Sequence, residues 1–181
     1  MKKYKINTSC YVQNVYEHIQ LKKIILEYIN INSIQKLEEK EDIISNTDWY
    51  ESDKPDRPYV KLLKDVLAPY LLNVSKDLRM LEYRINNMWF QQYLLNSKHN
   101  WHTHPGVNWS AIYYVEMKSD SVKTELYDLT ENKIIQGIEL KEGDLFVFPS
   151  NILHRSPPNL TNDRKTIISF NLDFDNTDTV F

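Results

Sequence analysis

His102, His104 and His154 are the residues of this 181-residue chain whose types and spacing suggest chemistry. His102 and His104 stand two apart in Asn100-Trp-His-Thr-His-Pro-Gly106. Alternate residues of an extended strand point to the same face, so the two imidazoles lie side by side, a spacing suited to one metal ion. A third ligand must then come from a neighbouring strand, and His154, closing Phe148-Pro-Ser-Asn-Ile-Leu-His154, is the candidate. Three protein ligands leave coordination positions open for substrate, as catalytic metal sites do. An isolated H-x-H is more often a pair of solvated loop histidines, so the assignment rests on the pattern around it. His99 reads as such a loop residue, and His18 as an ordinary surface residue of the helical half.

Ten residues beyond His154, Arg164 opens the run Arg164-Lys-Thr-Ile-Ile-Ser-Phe-Asn171. A planar guanidinium grips a carboxylate through two parallel hydrogen bonds, which a lysine does not do. The plain alternative is an exposed ion pair at a strand end, which contributes little. Gln91 precedes the histidines on a strand that turns it either into a pocket or out to solvent. Trp89, Trp109 and Phe170 are pocket walls or simply core.

These residues need strands to hold them, and the second half of the chain supplies candidates. Ile85–Leu95, Trp109–Met117, Thr124–Leu129, Lys133–Leu140, Leu145–Phe148 and Thr166–Phe174 are rich in β-branched and aromatic residues. Turn residues separate them, among them Pro105-Gly106, Glu142-Gly143-Asp144 and Pro157-Pro158-Asn159. Short strands at this spacing predict a sandwich or barrel. The first half reads as helical. Val15–Ile31 carries an apolar stripe at Ile19, Leu21, Ile24, Ile25, Tyr28 and Ile29. A second helix is expected over Tyr59–Asn73, divided or kinked at Pro69. Between them a long polar loop, Glu38–Asp56, is of the kind that covers sites. The expected organisation is one domain over 1–181, with helical support in 1–81 and a β core in 82–181.

Composition bounds the function classes. At 41% hydrophobic and 26% charged, the chain is ordinary for a globular protein and long enough to bury a core without disulfide or structural metal. A formal charge of -3 gives no general attraction for nucleic acid, which is therefore a disfavoured partner. The single cysteine, Cys10, cannot form an internal disulfide. The basic Met1-Lys-Lys-Tyr-Lys5 is followed by no apolar region, and no run is long enough to span a membrane. A cytoplasmic protein is expected. Abundant lysine, asparagine and isoleucine suggest an AT-rich bacterial or viral genome, and so a bacterial or virus-infected host cell.

Taken in order, His102-x-His104-Pro, Ser110-Ala-Ile-Tyr-Tyr-Val115, Gly143-Asp-Leu-Phe-Val-Phe-Pro-Ser150, His154 and Arg164 resemble the iron(II)- and 2-oxoglutarate-dependent oxygenases. The likeness is to a small phage and bacterial branch whose motifs read H-x-H-P, S-G-x-Y-Y and F-P-S-x-x-x-H, and it covers about residues 85 to 174. It implies a double-stranded β-helix, or jelly roll, mainly β with N-terminal helices. It also implies Fe(II), 2-oxoglutarate and dioxygen, and hydroxylation of a C–H bond with release of succinate and CO2. On this resemblance His102 is the first iron ligand and His154 the last. Arg164 corresponds to the arginine on the distal carboxylate of 2-oxoglutarate, Tyr114 to a tyrosine on that carboxylate, and Gln91 to a pocket residue.

One position departs from the superfamily. Most members have Asp or Glu where this chain has His104, so the iron site would hold three neutral donors unless a carboxylate such as Asp128 substitutes. Two other readings compete. Cupins share the jelly roll and bind metal through histidines, but the glutamate expected soon after their first histidines is missing before Glu116. A non-catalytic jelly-roll interaction module is the other. The substrate, whether protein residue or small molecule, and the oligomeric state stay open.

Overall fold

The computed structural model describes residues 8–31, 35–39, 42–118 and 121–176; the basic Met1–Lys5 segment lies outside them. Strands and helices follow one another as β1 (Tyr11–Asn14), α1 (His18–Ile31), β2 (Gln35–Glu39), β3 (Asp42–Thr47), α2 (Pro58–Asp77), β4 (Glu82–Tyr93), β5 (His99–His102), β6 (Trp109–Glu116), β7 (Glu125–Asp128), β8 (Lys133–Ile134), β9 (Asp144–Pro149), β10 (Leu153–Ser156) and β11 (Lys165–Asp175). They form two antiparallel sheets. The larger runs β1-β9-β6-β11-β4-β3-β2 and the smaller β5-β10-β7-β8. The fold is mainly β, a jelly roll with helices on one side.

The large sheet is buried on both faces, which is why its central strands read as continuous apolar and aromatic runs rather than alternating ones. Along β11, Ile168, Phe170 and Leu172 join Leu63, Leu67 and Leu71 of α2 in one core beneath the helices. Their neighbours of opposite parity, Lys165, Ile167, Ser169 and Asn171, stand opposite Tyr93, Gln91, Trp89 and Asn87 of β4. Directly opposed residues of an antiparallel pair share a face. That face turns towards the small sheet. There Tyr93, Ile112, Tyr114, Phe146, Phe148 and Ile167 form a second core with Leu126 of β7.

Helix α2 begins with Pro58 in its first turn, where a missing N–H costs nothing, and continues unbroken through Pro69. An internal proline costs about 3 kcal/mol. Burial of a leucine yields roughly 1.5–3 kcal/mol, so the fully buried Leu63, Leu67 and Leu71 outweigh the proline, and the expected division at Pro69 does not occur. Past the end of the helix Arg79 is left-handed (φ 58°). The N–H groups of Met80 and Arg79 bond back to the carbonyls of Ser75 and Lys76, closing the last turn.

Three further expectations are corrected. Glu38–Asp56 is not one loop: it holds β3, which pairs with β4 through Asn46↔Gln92 and Thr47↔Gln91, and a 3-10 turn at Trp49–Glu51. Only Ile43 and Ile44 are large and apolar in β3, so its strand character comes from its partners β2 and β4. The run Lys133–Leu140 keeps strand only at Lys133–Ile134, because Gly137 turns to φ +83° and leaves the ladder. Helix α1 starts at His18 rather than Val15. No helix among the described residues is long and apolar enough to cross a membrane.

Candidate metal centre and its pocket

Strands β5 and β10 lie side by side with His102 directly opposite His154. His104 follows the end of β5, fixed by its backbone N–H on the Ser150 carbonyl at 3.0 Å. One ligand atom from each of the three histidines falls within 4.8 Å of the others. The ring centroids are 4.2 Å (His102–His154), 5.0 Å (His104–His154) and 5.1 Å (His102–His104) apart. Nδ1 of His102 lies 2.6 Å from the Asn100 carbonyl, and Nδ1 of His154 lies 2.8 Å from that of Ile152. A carbonyl only accepts, so Nδ1 carries the proton in both and Nε2 keeps its lone pair, the tautomer a metal ligand needs. His104 Nε2 is buried with no partner.

Burial keeps these rings neutral. It draws the pKa of His104 to about 4 and that of His154 to about 3, the neighbouring imidazoles adding to the effect, and it lowers His102 as well. Largely desolvated, deprotonated imidazoles around a common point suit a divalent cation of intermediate softness, and the orphaned His104 nitrogen gains its missing partner when one binds. The residues fit a metal.

A cavity of about 490 Å³ opens beside them, lined by His102, His104, Asn87, Trp89, Gln91, Asn171, Trp49 and Asp42 among others. Trp49 is positioned by Asp48, whose carboxylate accepts from the Phe90 N–H (2.8 Å), Tyr59 Oη (2.6 Å) and Arg57. This ties the 3-10 turn to β4 and α2, and the Trp49 ring packs edge-to-face on Trp89 at 4.5 Å.

His99 is not the solvated loop residue the sequence suggests. It opens β5, stacks on His102 at 3.9 Å between ring centroids, and lines the cavity. Burial and the neighbouring charges push its pKa down to about 2. Asp42 stands 3.7 Å from His99 Nε2 and accepts the Asn100 N–H at 2.7 Å. Asp128, the suggested substitute carboxylate, instead accepts the N–H groups of Thr130 and Glu131 in the β7–β8 turn. His18 is also no free surface group: its ring nitrogens lie 2.7 Å from Tyr113 Oη and 3.2 Å from Glu142.

Arg164 and Lys165 divide in a way that strand parity decides. Arg164 lies just before β11 and gives its Nε to Glu116 at 2.7 Å, with about a third of its side chain exposed. Lys165 takes the inward parity and is 1% exposed. Its Nζ donates to Ser156 Oγ (2.6 Å) and the Val122 carbonyl (3.1 Å) and lies 4.4 Å from the centre of the Tyr93 ring. None of these partners is a carboxylate, and burial pulls the ammonium pKa down to about 7. Ser156 stands opposite His99, so the lysine reaches the wall that carries the histidines. Gln91 faces inward, its Oε1 accepting from Tyr93 Oη and Ser169 Oγ at 3.2 Å each. Tyr114 is buried on the same face and donates to Thr124 Oγ1 at 2.7 Å. Trp89 walls the cavity, whereas Trp109 and Phe170 belong to the core under the helices.

The jelly roll thus gathers three histidines at one end and buries a lysine of β11 that has no acidic partner. Residues 87–171 match the family model described as "Putative 2OG-Fe(II) oxygenase". Solved structures carry the same fold. A Pseudomonas putida prolyl-4-hydroxylase is 13% identical with a TM-score of 0.65, over 92% of this chain and 93% of that one. A 2OG-Fe(II) oxygenase family oxidoreductase from Burkholderia pseudomallei is 12% identical with a TM-score of 0.71, over 92% and 88%. The viral collagen prolyl hydroxylase of Paramecium Bursaria Chlorella virus-1 is 15% identical with a TM-score of 0.61, over 90% and 94%. No curated protein matches the sequence.

Lys165, His99, Asp42 and Trp49 escaped sequence reasoning. For Lys165 a signal existed: it shares parity with Ile167, Ser169 and Asn171, whereas Arg164 does not.

Proposed function

We propose that the protein is a 2OG-Fe(II) oxygenase that holds Fe(II) through Nε2 of His102 and His154 together with His104, and seats the distal carboxylate of 2-oxoglutarate on Lys165. The observation that supports the second half is a fully buried ammonium whose partners include no acid. Burying a lone cation is costly, and an incoming carboxylate offsets that cost. Arg164, the residue the sequence motif favours, already spends its guanidinium on Glu116. Gln91 and Tyr114, on the interior face, line the cosubstrate end beside it.

With metal, cosubstrate and dioxygen in place, the centre supplies oxidation of a substrate C–H bond to a hydroxyl, releasing succinate and CO2. The chain's own residues prepare that chemistry. The Asn100 and Ile152 carbonyls hold the His102 and His154 tautomers, and the buried pocket keeps all three imidazoles unprotonated at neutral pH. Trp49 and Trp89 make the cavity wall apolar and limit bulk water. His104 in place of a carboxylate leaves the ligand set without negative charge, and Asp42 is the acidic side chain lining the same cavity. A metal-binding jelly roll without cosubstrate would leave Lys165 without a function.

The test is an anaerobic titration of the purified protein with Fe(II) and then 2-oxoglutarate, followed by succinate analysis on admitting oxygen. A weak visible charge-transfer band and succinate release are expected, with both lost in His102→Ala and His154→Ala. Equal metal content in wild type and both variants refutes the ligand assignment.

A further inference from the structure

His104 Nε2, Trp89 Nε1 and Asn87 Oδ1 are the buried side-chain polar atoms without a hydrogen-bond partner among the described residues, and all three residues line the one cavity. Folded proteins leave few such groups unmade, because each forfeits its bond to water. Three around a single cavity mark a place built for occupants. A metal accounts for His104. The other two remain.

Trp89 and Asn87 are two residues apart on β4, opposite Ser169 and Asn171, and so share the cavity face. Trp89 is 2% exposed. An indole N–H can only donate, and a carboxamide oxygen can only accept. Resting on the oxygenase reading above, we infer that this pair recognises the substrate through a carboxamide or peptide unit. Its C=O accepts from Trp89 Nε1 and its N–H donates to Asn87 Oδ1.

Charge narrows the class further. No lysine or arginine is among the residues lining the cavity, while Asp42 is. With the metal's charge taken up by 2-oxoglutarate, a phosphate or carboxylate substrate would meet the Asp42 carboxylate and no lysine or arginine. An ester offers the acceptor but leaves Asn87 Oδ1 unmade; a carboxamide is a small neutral group that satisfies both atoms. The half-exposed Trp49 ring against Trp89 gives the body of the substrate an apolar surface. The amide can belong to a small molecule or to a peptide chain.

The experiment uses wild-type protein loaded with Zn(II) and 2-oxoglutarate, labelled with ¹⁵N at its indoles, the Trp89 signal being assigned with Trp89→Phe. The probes are N-methylcyclopentanecarboxamide, methyl cyclopentanecarboxylate, cyclopentanecarboxylate and an acetylated five-residue alanine peptide amide. The Trp89 indole proton should move and saturate with the amide, bind the ester about tenfold more weakly, and ignore the acid. Asn87→Leu should erase the preference for amide over ester at unchanged zinc content. Tighter binding of the peptide than of the small amide assigns the amide to a chain, and the reverse assigns it to a small molecule. A Trp89 signal that ignores both amides while zinc and 2-oxoglutarate bind overturns the inference, as does equal response to amide and ester. If wild type takes up neither zinc nor 2-oxoglutarate, the oxygenase site itself falls and this inference with it.

Discussion

Replacing Lys165 with methionine separates a structural lysine from one kept for a cosubstrate. The buried ammonium has its pKa drawn from 10.5 to about 7. At about 1.36 kcal/mol per pH unit, the protonated form carries a penalty on the order of 5 kcal/mol in the folded protein. The sign follows from proton binding. Between pH 7 and 10.5 the unfolded lysine holds a proton that the folded one has lost, so this group makes stability rise with pH across that window. Methionine removes the penalty and the two hydrogen bonds to Val122 and Ser156, each worth about 1 kcal/mol net, with a further cost for the stranded carbonyl. At pH 7 the ligand-free variant should therefore melt no lower than wild type.

Its 2-oxoglutarate affinity should fall by about 3–5 kcal/mol, roughly two to nearly four orders of magnitude, the scale of breaking a buried ion pair. Binding should also carry a proton in. At pH 8 roughly nine-tenths of the lysine is neutral in the free protein, and the carboxylate restores its charge. Calorimetry in buffers of different ionisation enthalpy should thus report uptake of close to one proton at pH 8 and clearly less at pH 6. Undiminished 2-oxoglutarate affinity in Lys165→Met, or no proton uptake at pH 8, would refute the argument.

Arg164→Ala should leave 2-oxoglutarate affinity within about twofold and alter stability by about 1 kcal/mol at most, since its half-buried pair with Glu116 is still partly screened by solvent; titration and thermal melts check both. The ligand-free protein should lose stability as pH falls from 6.5 towards 4, because the unfolded histidines take up protons that the buried His104 and His154 refuse; unfolding midpoints against pH measure this. For the same reason metal affinity should fall less between pH 7.5 and 5.5 than it would with three ordinary imidazoles, and His104→Asp should raise Fe(II) affinity by adding a negative ligand, both read by competition with a chelator. Leu67→Ala, beneath the sheet and far from the cavity lining, should cost about 2–5 kcal/mol of stability, seen in denaturant unfolding.

The sequence by itself determined the strand-rich half, the helices before it and the spacing that brings His102, His104 and His154 to one end of a jelly roll. Those features rest on local rules: alternate residues share a face, aromatic and β-branched runs prefer strands, and Gly143-Asp144 turns. What the residues could not declare were properties set by partners far along the chain. Pro69 reads as a break, yet the sheet packed on α2 holds the helix through it. Asp42–Thr47 reads as loop, and only its pairing with β2 and β4 makes it a strand. His99 reads as solvated, but Ser156 across the β5–β10 pair and the ring of His102 enclose it. The choice between Arg164 and Lys165 turns on the register of β11 against β4 and β6: a shift of one residue reverses which side chain enters the barrel. Motif spacing tolerates such a shift, whereas a buried face does not, so only the tertiary structure put an ammonium inside and the guanidinium out on Glu116.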